Sequence, residues 1–145
     1  MAKLAGDVVL STIETEWLAA TATGEPLESL GEYGLNRSQP GQARAVPRAV
    51  VFVNDSVRLS TTSVSEYWSV LVEFRVYDVG TVEIRTAKQA VLDWLSDGLR
   101  GTLAWTWPAG VELNKVEIDS DGTSKPDETT GRGVVRVRFD VGIEQ

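Results

Sequence analysis

The chain has 145 residues, 42% hydrophobic and 24% charged, a length and balance that suit one globular domain. Its net charge of −7 disfavours a phosphate-binding basic face as the main function. With no cysteine and no histidine it has no thiol catalysis, no Cys/His zinc site, no histidine general base and no disulfide framework. No apolar run approaches the ~20 residues of a bilayer span. Residues 1–7, with one base and an early acid, lack the pattern of a signal peptide.

In chain order, residues 7–22 read as a first helix. Val9, Ile13 and Trp17 form an apolar stripe at helical period, flanked by Leu10 and Leu18, and Asp7 is the expected N-cap. Residues 23–47 hold three prolines and four glycines and read as a long loop, of the kind that is usually functional. Its Leu27, Leu30, Tyr33 and Leu35 are too many apolar residues for a free loop, and a neighbouring chain is expected to order it. Residues 49–53 (AVVFV) are a short strand, and 57–61 can extend a hairpin arm.

The clearest strand is 66–77. Trp68, Val70, Val72, Phe74 and Val76 share one face; Tyr67, Ser69, Leu71, Glu73, Arg75 and Tyr77 share the other. A second helix is expected over 82–97, with Ile84, Ala87, Val91, Leu92, Trp94 and Leu95 on its apolar side, Thr81 as cap and Gly98 as stop. Trp105 and Trp107 stand in a short loop. Residues 111–119 read as a strand with imperfect alternation, and 119–133 as an exposed polar loop. The last strand alternates strictly: Val135, Val137, Phe139, Val141 and Ile143 against Arg136, Arg138 and Asp140.

No strand–helix–strand repeat supports a doubly wound sheet. The expected fold is α+β: an antiparallel sheet of four or more strands, two helices on one face, and long loops, in a single domain over 1–145.

Few residues carry chemistry. Asp119-Ser120-Asp121-Gly122 with Asp127-Glu128 has calcium-loop character, but the glycine directly follows the second acid and the EF-hand spacing fails. Glu73 or Asp78 with Glu83 could be a carboxylate pair, yet strand and helix-start positions explain them. The glycines at 31–34 and 131–133 lack phosphate-loop spacing. No cofactor, metal or catalytic residue is expected, and the chain is read as non-enzymatic.

The order of elements carries a resemblance: the Trp-bearing first helix, the loop to Pro47, AVVFV, YWSVLVEFRVYD running into TVEIRTAKQAVLDWL, then VELNKVEID and the closing GVVRVRFDVGIEQ. This layout resembles the tail terminator proteins of long-tailed bacteriophages, also called tail completion or head-to-tail joining proteins. The resemblance implies a small α+β virion subunit, assembled in the host cytoplasm, whose copies form a ring, typically a hexamer. Its partners would be the tail tube protein and the head-completion or connector protein, with genomic DNA passing through the lumen unbound and no membrane. A head-closure or tube-like subunit is the alternative, and a small carboxylate-based enzyme or ligand-binding domain a distant one. The candidate contacts are Leu30, Tyr33 and Leu35 in a contact loop over 23–47, Trp105 and Trp107 as loop aromatics, and Arg136, Arg138 and Glu73 on the polar strand face. There, Arg136 and Arg138 are expected to meet acids such as Glu73 or Glu117 of a neighbouring subunit.

Overall fold

The structure is a computed structural model that describes residues 4–37, 46–101, 105–124 and 131–144. Two helices, α1 (Ala5–Ala20) and α2 (Thr81–Gly101), cover one face of a five-stranded sheet. Its strands are β1 (Gly34–Arg37), β2 (Arg48–Thr61), β3 (Ser65–Asp78), β4 (Val111–Ser124) and β5 (Gly131–Glu144), in the order β1-β2-β3-β5-β4. All pairings are antiparallel except β1 with β2. The expected α+β class and helix placement are as read from the sequence; the parallel edge strand β1 is an addition.

The core follows from two periods. On the sheet, Val51, Val70, Val72, Phe74, Val137, Phe139 and Val141 are all at most 1% exposed. They come from alternate positions, which share one face of a pleated sheet. Facing them, Val9 and Ile13 of α1 and Ile84, Val91 and Leu95 of α2 are fully buried, and Trp17 of α1 is 3% exposed. Burying each such side chain contributes about 1.5–3 kcal/mol. Leu18 is the exception in the expected stripe, standing 75% exposed on the outer side of α1.

The helix ends differ from expectation. Leu4, extended and without a side-chain cap, precedes α1, and Asp7 sits in the first turn, where an acid favours the positive end of the helix dipole. Thr81 is the first residue of α2, and the helix runs through Gly98 to Gly101. One internal glycine costs only about 1 kcal/mol relative to alanine, and the buried Trp94 and Leu95 just before it anchor the helix.

The two loops also shrink. Leu27 (0%), Leu30 (2%) and Tyr33 (7%) are inside the chain's own core, and a 3-10 turn (Glu28–Leu30) leads into β1. The expectation that a neighbour orders this stretch is therefore corrected for residues 23–37. In place of the polar loop over 119–133, β4 continues to Ser124 and β5 begins at Gly131. Residues 38–45 and 125–130 of these expected loops lie outside the described residues. The imperfect alternation of β4 has a cause: register shifts between Leu113/Lys115 and Ile118/Ser120. Each extra residue flips the face of the residues after it, so Leu113, Val116 and Ile118 all pack on the core.

Candidate functional site

The face of the sheet away from the helices is where the charged candidates lie. Five of the chain's ten arginines stand on it: Arg48 on β2, Arg75 on β3, and Arg132, Arg136 and Arg138 on β5. Strand register places them. Glu73 is opposite Phe52 on one side and Arg136 on the other, while Arg138 lies between Leu71 and Glu117.

Glu73 is the centre of this face and is only 1% exposed. Asn54 Nδ2 donates to its Oε1 at 2.9 Å and Arg136 Nε to the same oxygen at 2.8 Å. Arg75 Nε donates to Oε2. Burial alone would raise the Glu73 pKa, but the bonds from Asn54 and Arg75 and the charges of Arg75 and Arg136 outweigh it, holding the carboxyl below its usual range. The Arg75 guanidinium also lies 4.7 Å over the Phe52 ring, and Arg48 lies 4.5 Å over Tyr77. Burial would lower the Arg75 pKa, yet its bonds to Glu73 and Tyr77 raise it. Arg138 donates to Ser69 Oγ at 3.0 Å and approaches Asp119 at 3.9 Å.

The structure thus brings Glu73 and Arg136 together, but within one chain rather than between two. Arg136 and Arg138 nevertheless keep 41% and 33% of their side chains exposed. Elsewhere the chain is acidic. Residues 4–36 contain six acids and no base, and Arg37 at their end bonds Glu14 at 2.7 Å and Asp7 at 3.4 Å.

The other candidates are divided. Leu30 and Tyr33 are buried; the Tyr33 hydroxyl donates to Asp78, and burial, then that bond, raises its pKa. Leu35 is half-buried on β1. Trp105 and Trp107 are half-buried too, in a ladder of rings. Trp105 stacks on Trp94 at 5.0 Å, Trp107 on Trp105 at 6.3 Å, and both reach Phe139 at 6.2 and 6.4 Å. The loop is tucked against the domain.

The residue reading missed an apolar groove. It lies between the start of α1 and the β2–β3 hairpin, has a volume of about 480 Å³, and is lined by Leu4, Leu10, Val53 and Trp68, among others. Gly6 shapes it, since a Cβ there would come within 3.2 Å of Val53 Cγ2. Its components are far apart in the chain, from Leu4 to Trp68, so no local pattern announces it. Among the described residues no group of three His, Cys, Asp or Glu could hold a metal, and no helix is long and apolar enough to cross a membrane.

No protein-family model matches the chain, and no curated protein is significantly similar to it. Among solved structures, it is similar to a chain of a structure described as "Virion of native gene transfer agent (GTA) particle", with a TM-score of 0.59 over 91% of this chain and 92% of that one. The two are 16% identical, so the likeness is one of fold, and it spans nearly the whole of both chains.

Proposed function

We propose that this chain is a structural virion protein, a tail terminator whose copies form a ring, hexameric by the resemblance of its layout. The ring caps the finished tail tube, stops its polymerisation and joins it to the head connector, with DNA passing through without specific binding. The observation that carries this reading is the fold likeness to a virion-particle chain along nearly the whole length of both. Two independent signs support it. The order of elements in the sequence by itself resembles that of a phage neck protein, and the uncovered sheet face carries half-exposed arginines on an otherwise acidic chain.

In this reading Arg136 and Arg138 contribute to subunit contacts through the exposed parts of their side chains, while Glu73 holds Arg136 and Arg75 in place. Half-exposed Leu35, Trp105 and Trp107 can add apolar contact area. Buried Leu30 and Tyr33 act only by shaping the surface above them. Rim ion pairs are worth about 0–1 kcal/mol each, so the arginines set register and apolar neighbours supply the affinity.

The test is deletion of the gene from a particle-producing genome, with electron microscopy of the lysate. Heads separated from tails of uncontrolled length are expected. Normal particles would refute the role. Purified protein that grows into open polymers would instead mark a tube subunit.

A further inference from the structure

We infer that two copies of this chain pair across the uncovered sheet face, about a two-fold axis that crosses the strands at Leu71 and Arg138, so that Arg136 of each copy meets Asp140 of the other. This goes beyond the ring reading and does not rest on it: a two-fold contact closes on a pair, whereas a ring needs a separate head-to-tail contact.

The charges of this face are sorted along the strands. Register places Arg48, Arg75, Arg132 and Arg136, with the buried Glu73, on the half nearer Tyr77. On the half nearer Ser65 stand Glu112, Asp140 and Glu144, with Lys115. The acids just past Tyr77 belong to the helix side: Asp78 accepts from the Tyr33 hydroxyl, and Glu83 stands on α2. Along β5 the outward series is antisymmetric about Arg138, with Arg136 and Asp140 two residues to either side and Arg132 and Glu144 six. Two copies with antiparallel strands therefore set arginine over acid at both spacings. A two-fold axis along the strands would instead set each half over its own kind. At the crossing axis Arg138 neighbours Glu117 on β4, so each Arg138 is within reach of an acid from both copies, and Asp55 falls at the β2 rim.

The single chain leaves this match unmade. Asp140 forms no ion pair among the described residues, and its Oδ1 is buried without a hydrogen bond. Glu112 and Glu144 are exposed, likewise without ion pairs, and line a hollow of about 310 Å³ with Tyr67 and Gly142. In the other half Arg48 has the Tyr77 ring but no carboxylate. The acids of α1 are a poorer match for the arginines, since Asp7 and Glu14 already hold Arg37 and Glu16 accepts the Thr106 N–H. Docking there would also leave the Glu112 hollow unmatched. Apolar area is at hand where the two faces meet: Leu71 and Phe52 are half-buried, and Val50 and Val134 lie beside them at 8% exposure. Four strands of 14 residues each make a face of roughly 850 Å², close to the 800 Å² a side of a stable interface. The apolar centre supplies affinity, and the sorted charges fix which way the second copy lies.

The chain has no cysteine, so single cysteines can report the geometry. Leu71→Cys lies at the axis, and a short bis-maleimide should link it into dimers. Val64→Cys, at the hairpin turn, would stand roughly 45 Å from its counterpart at about 3.3 Å per residue and should stay unlinked. In sedimentation, Asp140→Arg/Glu144→Arg sets like charges together and should need roughly tenfold more protein than wild type to pair, as should Arg132→Glu/Arg138→Glu. Mixed, the two variants should pair with each other near the wild-type concentration, and circular dichroism melts check that each is folded. Glu144→Arg alone, at an exposed strand end, should weaken pairing in the same direction and answers the question if a double variant misfolds. Linked dimers from Val64→Cys but not Leu71→Cys, or double variants that pair like wild type, overturn the inference. Wild type that stays monomeric overturns it too, whether or not the face retards duplex DNA through Arg132 and Arg136. Rings of fixed mass that give no linked Leu71→Cys dimer overturn the pair and leave the ring reading standing.

Discussion

The two faces of the sheet bury side chains by different means. Beneath the helices, Val70, Val72, Phe74, Val137 and Phe139 vanish from solvent by apolar packing, with Trp17, Trp94 and Trp105 laid across them. On the far face no helix helps, yet Glu73 is as inaccessible as Phe74. Its partners are Arg75, Arg136 and Asn54, which meet the carboxylate with their N–H groups. Apolar burial stabilises outright. A buried ion pair does so only while every partner is present. The first face therefore tolerates repacking but not charge, and the second tolerates charge but not the loss of one member.

Trp17→Asp breaks the first face most severely. The residue is 3% exposed and its indole donates to Tyr33 O at 3.2 Å, so an unpaired carboxylate replaces a satisfied ring. A loss of more than about 5 kcal/mol, and no cooperative melt by circular dichroism, is expected. A wild-type melt would dissolve the contrast between the faces.

Glu73→Gln tests the second face. Removing one partner of a buried pair costs about 3–5 kcal/mol. Arg75 and Arg136 are 30% and 41% exposed, which lowers the expected loss in urea denaturation to about 2–3 kcal/mol. The same carboxylate predicts an acid response. Its folded pKa is lowered, so its contribution is complete above the unfolded value of about 4.3 and disappears as pH falls through the folded value. The urea midpoint of wild type should thus fall more steeply below about pH 4 than that of Glu73→Gln; parallel curves would place the stabilisation elsewhere.

The smallest effect belongs to the hairpin arm, where neither face is covered. Val57→Ser and Leu59→Ser, at 45% and 57% exposure, should change stability by less than about 0.5 kcal/mol. A larger loss would show that the arm packs on something in the isolated chain.

Much of the covered face was legible because it repeats. Strict alternation in β5 and the 3.6-residue stripe of α1 each announce themselves in a single window. β1 did not, since four residues with a single half-buried side chain, Leu35, have no period to read. Trp105 and Trp107 gave no face because their loop has none; only Trp94 and Phe139, distant in sequence, define it. The Glu73–Arg136 pair spans 63 residues, and its two residue types were read as partners, but whether within one chain or between two depends on strand order. Hydrophobic pattern assigns faces, whereas neighbours across a sheet are set by topology.

That strand order has a consequence for biosynthesis. β5 pairs with β3 on one side and β4 on the other, matching β3 without a register shift from Ser65↔Glu144 to Asp78↔Gly131. It is also the last of these five strands to leave the ribosome. Until it emerges, the β2–β3 hairpin shows a bare strand edge that bears Val70, Val72 and Phe74, and β4 has no neighbour at all. An open apolar edge of this kind invites pairing with other chains. A message truncated before residue 131 would yield insoluble product, because the edges of β3 and β4 that β5 joins would both stay open.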